Sequence, residues 1–309
     1  MKSINTRTRL VGVMSAIAMA ATGGVVSASA PPADDMAGSE PGSDFVGTCE
    51  TALDEDDSVD SLSELDFSGL ELTVGSKDFA EQFVLGALAV VALEAGGATV
   101  TDSTNLGGTV VNREAMLAGE IDMYFDYNGT GWTEFLGQED PSDDPDQLTD
   151  DVCNLDLEEN NVRWLGRSPF NNTYGFATGP DLLNEDGEPF TMQQMADYIA
   201  ENSDATVCME VEFPDRSDGL VLFEEATGVV IPQEQIEILE TGVIYNETAQ
   251  GNCDFGEVFT TDGRIAALDL NLVQDPGIMI IYNASLTMLD ETFQQAPEVV
   301  EALADTLLN

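Results

Sequence analysis

From Leu70 onward, short apolar runs alternate with apolar residues at helical spacing. Strands are predicted at 70–74, 98–102 and 121–124, where apolar residues cluster between Gly, Asp and Asn punctuation. Between them, Phe83, Leu85, Leu88, Val91 and Ala92 recur at helical spacing over 81–95 and stop at Gly96-Gly97, and 110–118 reads as a second helix. A polar, Pro-containing connection at 139–146 leads to a helix over 147–160 and a strand at 162–165. A second alternating set follows, with strands at 175–178, 205–211, 236–239 and 254–259 and helices over 192–201, 218–227 and 242–249. Strands near 270–273 and 278–282 and closing helical segments complete the pattern. Strand–helix–strand alternation implies parallel sheets covered by helices. Periodicity by itself fits two α/β lobes and one larger open sheet equally well.

The N-terminus reads as an export signal. Lys2, Arg7 and Arg9 form a basic start, Leu10 to Val26 an apolar run, and Ala28-Ser29-Ala30 a small-x-small cleavage pattern. The competing reading is a membrane anchor, since the run approaches spanning length, although Gly, Ser and Thr interrupt it. A lipid anchor would need a cysteine at the cleavage point, and the first is Cys49. The mature chain is therefore expected to be exported and soluble. Residues 31–65, rich in Pro, Ser, Gly and acids, read as a solvated tether. The run Asp54-Glu55-Asp56-Asp57 lacks the glycine and closing glutamate of a calcium loop.

Charge narrows the function classes. The chain carries 59 acidic residues against 9 Lys and Arg, a formal net charge of −50, and no histidine. After residue 30 the only bases are Lys77, Arg113, Arg163, Arg167, Arg216 and Arg264. Nucleic acid and anionic membrane surfaces are poor partners for such a surface. Without histidine, a CxxC pair, a nucleophile motif or a cofactor fingerprint, neither a metal, nor a cofactor, nor an enzyme is expected. Carboxylate-only chemistry such as glycoside hydrolysis is left open by composition. Cys49, Cys153, Cys208 and Cys253 are even in number in an exported chain, which points to two disulfides; spacing permits three pairings.

The candidate chemistry concentrates in 72–132, which reads LTVGSKDFAEQF and then NLGGTVVNREAMLAGEIDMYFDYNGTGW. A strand runs into a Gly-Ser-Lys turn and a helix; a Gly107-Gly108 turn, a second helix and a strand ending in Tyr127-Asn128-Gly129-Thr130 follow. Gly107-Gly108 lacks the GK[ST] continuation of a phosphate loop and reads as a tight turn. A cation, aromatics and a hydroxyl thus stand at strand ends, where open α/β sheets bind small ligands. This segment strongly resembles the glycine betaine/carnitine/choline-binding proteins of osmoprotectant ABC importers, and the resemblance continues to about residue 285. It implies an α/β, type II periplasmic-binding-protein fold, two α/β lobes with a hinged ligand cleft. The implied division is a signal peptide at 1–30, an acidic flexible extension at 31–69, lobe 1 at 70–173 plus 260–309, and lobe 2 at 174–259. The two crossings between lobes fall near 171–176 and 258–264. The same fold implies Cys208 paired with Cys253 in one lobe, and Cys49 with Cys153.

The ligand class implied by the resemblance has definite requirements. A trimethylammonium group cannot donate a hydrogen bond, so aromatic faces suit it, each contributing ~0.5–2 kcal/mol. A micromolar complex needs roughly 8 kcal/mol, and the ligand's carboxylate end supplies the rest through Lys, Arg, hydroxyls or backbone N–H groups. By resemblance, Tyr127 in FDYNGT, Tyr174 in NNTYGF and Tyr245 in TGVIYNE fall on cage positions, and Phe259 in GEVFTTDGR stands where relatives carry a tyrosine. Lys77, Thr130 and Arg216 fall at the carboxylate end, with Glu212 orienting Arg216 or Lys77. Taken singly, each tyrosine would read as packing and each base as surface. Arg264 reads as a structural joint after the second crossing, and Arg113 as pairing with Glu114 or solvent. The resemblance implies an extracytoplasmic substrate-binding protein that captures glycine betaine, proline betaine or carnitine in preference to choline. Its implied partner is the transmembrane permease subunit of an ABC importer. A binding protein for another solute, such as an amino acid, and a carboxylate-dependent enzyme are the alternatives.

Overall fold

The computed structural model describes residues 64–308. The expected signal peptide, nearly all of the acidic extension and Cys49 lie outside the described residues. Within them, two five-stranded sheets form in sequence. The first half runs β1 (Glu71–Lys77), α1 (Ala80–Ala95), β2 (Thr99–Gly107), α2 (Thr109–Leu117), β3 (Met123–Tyr127), α3 (Asn128–Thr130), α4 (Pro145–Asn160) and β4 (Val162–Leu165). The second runs β5 (Tyr174–Thr178), α5 (Met192–Glu201), β6 (Val207–Met209), α6 (Leu220–Thr227), β7 (Ile236–Ile238), α7 (Thr241–Ala249), β8 (Phe255–Phe259), α8 (Arg264–Ala267) and β9 (Asn271–Leu272). The chain then returns through β10 (Ala284–Leu289), α9 (Asp290–Phe293) and α10 (Pro297–Leu308).

The sheets share one plan. In the order β2-β1-β3-β10-β4, β1 pairs parallel with β2 and β3, and β10 inserts antiparallel between β3 and β4. In the order β7-β6-β8-β5-β9, β6 pairs parallel with β7 and β8, and β5 inserts antiparallel between β8 and β9. Each antiparallel strand is the first one laid down after the chain crosses over. Local chemistry fixes the helix starts: Asp144 accepts from the N–H groups of Asp146 and Gln147 ahead of Pro145, and Thr191 closes a capping box with Gln194.

Several expectations are corrected. The strand expected at 278–282 forms later, at Ala284–Leu289. Because β9 joins the second sheet beside β5, the return to the first sheet comes between Leu272 and Ala284 rather than near 258–264. The tail of the extension is not a tether: Leu65 and Phe67 are buried, and Phe67 N–H donates to Gly96 O at 2.8 Å. On α1, the core face is Leu85, Ala89, Ala92 and Leu93, whereas Phe83, Leu88 and Val91 are exposed. That helix is apolar all round, so periodicity could not choose its face. One continuous apolar cluster joins both sheets through Tyr127, Tyr174, Phe213 and Tyr282. Among the described residues no helix is long and apolar enough to cross a membrane.

Candidate functional site

A cleft of about 800 Å³ opens where the strand ends of the two sheets meet. From the first lobe it is lined by Lys77 at the end of β1, Phe79, Thr109 at the start of α2, Tyr127 and Thr130. The second lobe adds Tyr174, Glu210, Glu212 and Phe259, and the return crossing adds Tyr282.

Five rings follow one another along this cleft. Phe79 lies 6.1 Å from Tyr127 and 4.7 Å from Phe259; Tyr174 lies 5.4 Å from Phe259 and 5.3 Å, edge-on, from Tyr282. Burial pushes the phenols of Tyr127, Tyr174 and Tyr282 well above the usual tyrosine range, so the row is uncharged. Tyr245 is not part of it. Its ring is fully buried behind Phe259, its hydroxyl accepts from the Phe259 N–H at 2.9 Å, and the Arg264 guanidinium covers it at 3.9 Å. Tyr245 therefore props a cleft wall instead of forming one. Arg264 is structural within the second lobe, bonded to Asp262 and to Gly242 O.

The expected cations are already engaged. Lys77 Nζ donates to Asp126 Oδ1 at 2.7 Å and to Thr109 Oγ1 at 3.3 Å, and Asp126 is fully buried. Arg216 grips Asp218 with two parallel bonds, Nε to Oδ1 at 2.7 Å and an NH2 contact to Oδ2 at 2.8 Å. Burial alone would push the Asp218 carboxyl up, but Arg216 outweighs it and holds it below the ordinary range. Arg216 also reaches the hydroxyls of Thr109 and Thr130 at 3.4 Å each, crossing from one lobe to the other. It does not line the cleft itself. Glu212 spans the same gap: its Oε1 accepts from the Thr109 N–H at 2.9 Å, at the start of α2, and its Oε2 lies 3.7 Å from Arg216. Gly108 permits this approach, since a Cβ there would sit 2.1 Å from Glu212 Oε1. Arg113 pairs with buried Asp156 on α4, not with Glu114.

Three residues that line or brace the cleft had little local signal. Phe79 follows Lys77 directly, yet reads as an ordinary helix lead-in. Tyr282 reaches the cleft only because the return crossing passes there. Glu81 accepts from Tyr127 Oη at 2.7 Å, Asn172 Nδ2 at 3.0 Å and Thr261 Oγ1 at 2.7 Å. One carboxylate thereby ties a cleft tyrosine to the first crossing at Asn172 and to the second lobe at Thr261. Cys208 and Cys253 form a disulfide, while the expected Cys49–Cys153 pair involves a residue outside the described range.

A family model described as the substrate-binding domain of ABC-type glycine betaine transport systems matches residues 71–308. The chain is 30% identical to the glycine betaine-binding protein YehZ of Escherichia coli over 74% of its length and 77% of that protein. It is 29% identical to a glycine-betaine-binding protein of Pseudomonas aeruginosa over 77% of its length and 79% of the relative. The apo YehZ structure from Escherichia coli superposes with a TM-score of 0.54 at 30% identity, covering 77% of this chain and 90% of that one. With sequence, sheet plan and interlobe cleft in agreement, the chain belongs to the family of substrate-binding domains of ABC-type glycine betaine transport systems.

Proposed function

We propose that this protein acts outside the cytoplasmic membrane, catching a betaine-type quaternary-ammonium solute between its lobes and delivering it to the transmembrane subunit of an ABC importer. The row of five neutral rings in the cleft carries the reading. An onium group makes no hydrogen bonds, so apolar faces with negative quadrupoles hold it where water would otherwise compete. The wall is built from Tyr127, Phe79, Phe259, Tyr174 and Tyr282, replacing the cage that included Tyr245. Lys77 and the hydroxyls of Thr109 and Thr130 serve a ligand carboxylate, with Arg216 fixing the two threonines from behind. Binding rather than catalysis is supported by the relatives, which are named as binding proteins. The curated relatives named for glycine betaine support the same class.

The test is calorimetry on the oxidised chain from residue 31 with glycine betaine, carnitine and choline. Saturable binding is expected, with glycine betaine and carnitine ahead of choline. Tyr174→Ala should weaken it about 2–30-fold, the worth of one ring at ~0.5–2 kcal/mol. A folded sample that binds none of the three refutes the proposal.

A further inference from the structure

The cleft contains a carboxyl group that the aromatic row and the two cation pairs leave unused. Glu210 follows β6 and lines the cleft, and its Oε2 accepts from the Glu212 N–H at 2.7 Å. On the neighbouring strand β8, Glu257 is fully buried; its Oε2 accepts from the Glu210 N–H at 3.2 Å, and its Oε1 has no hydrogen-bond partner. The titratable groups around this pair are Glu212 and Arg216 on the following loop and Tyr174 on β5, while Glu240 beyond β7 lines the same cleft. Arg216 is the one cation among them, and Asp218 already holds it. Two carboxyls so placed in a dry site cannot both ionise cheaply. Burial, reinforced by the charge of Glu212 against a bond from its backbone, pushes Glu210 up to about 7, and burial pushes Glu257 well above the carboxylate range.

The other cleft charges are less available. Lys77 is neutralised by Asp126, Glu212 is held at the start of α2 and near Arg216, and Asp78 and Glu240 are exposed to water. The five rings carry no formal charge. We propose that Glu210 is the anionic contact for the ligand's onium group, and that its buried place beside Glu212 and Glu257 keeps it protonated until that group arrives. Capture of an organic cation then releases the proton to solvent, leaving Glu210 ionised against the onium. This inference rests on the cleft being the onium site.

The sign follows from linkage. A cation prefers the ionised pair, so affinity rises with pH through the titration of Glu210. If capture lowers that titration by one unit, affinity rises up to about tenfold between pH 5.5 and 8. The chain has no histidine and no described cysteine is free, so among the described residues no other side chain of ordinary pKa titrates in that window.

The experiment is calorimetry of the full oxidised mature chain with glycine betaine and with choline, from pH 5.5 to 8.5, in buffers of contrasting ionisation enthalpy. Both ligands carry the trimethylammonium group, so both should show proton release that peaks between about pH 6 and 7 and an affinity rise of up to about tenfold. Glu210→Gln should abolish the release and flatten the profile. Glu257→Gln, which keeps the shape and is as uncharged as the protonated acid, should leave the midpoint and the proton release as in the wild type. Circular dichroism checks that each variant is folded, and the wild-type profile tests the inference even if one is not. Binding without proton release, with a flat profile in the wild type, overturns the inference and leaves the proposed function standing. Absence of binding by both ligands overturns the proposed function, and this inference with it.

Discussion

Lys77→Met is the perturbation that most directly tests the buried Lys77–Asp126 ion pair. In the folded protein Asp126 is fully buried and accepts three bonds at 2.7 Å each, from Lys77 Nζ, Tyr127 N–H and Tyr124 Oη. Two of these donors are neutral, so the ammonium supplies the only formal compensation among them. At 2.7 Å and an effective dielectric near 20 the attraction is about 6 kcal/mol before desolvation is subtracted. Removing one partner of a buried pair typically costs 3–5 kcal/mol, because the survivor stays charged in a dry site. For a body of this size, about 2–4 °C accompanies each kcal/mol, so Lys77→Met should melt roughly 6–20 °C below the wild type. Lys77→Met with Asp126→Asn should recover most of that loss, since the amide still accepts from its neighbours and carries no charge. Thermal melts of the three proteins decide it. If Lys77→Met melts within about 2 °C of the wild type, or the double variant is no more stable than the single, the pair is not the compensating interaction argued here.

Two further outcomes are expected. Opening the Cys208–Cys253 disulfide, which spans 45 residues, should cost about 4 kcal/mol by the loop-entropy relation, seen as an earlier urea midpoint for the Cys208→Ser/Cys253→Ser protein; an unchanged midpoint would refute it. Tyr245→Phe leaves the Phe259 N–H without its acceptor, so stability should fall by ~1–3 kcal/mol with ligand affinity nearly unchanged, whereas Tyr282→Ala should weaken binding about 2–30-fold. Calorimetry and melting on the two variants would show the reverse pattern if Tyr245, and not Tyr282, faced the ligand.

Much of the secondary structure was legible because its signals are local. Helices over 192–201 and the strand at 162–165 coincide with the periodic pattern, and the turn at Tyr127-Asn128-Gly129-Thr130 stands at a strand end as its residues suggested. The face of α1 was not legible, since a helix apolar on every side gives periodicity nothing to select. Nor was the strand at 284–289, because the preceding residues 278–282 are equally apolar and only pairing with β3 and β4 decides which segment becomes strand. In the candidate site, Lys77, Tyr127, Thr130, Tyr174, Glu212 and Phe259 could be named only through the family resemblance of the segments that carry them, and all six line the cleft.

The amino-acid sequence by itself determined the alternating elements, the extreme acidity and the short motifs at strand ends. Each of these depends on residues a few positions apart, or on composition. Only the tertiary structure decided that Tyr245 stands behind Phe259, that Tyr282 and Phe79 face the cleft, and that Lys77 is held by Asp126. Only it placed Glu257 beside Glu210, 47 residues away in the chain. The physical reason is the same in each case: a side chain's charge state and exposure depend on which distant groups packing brings to it, and one-dimensional spacing carries no record of them.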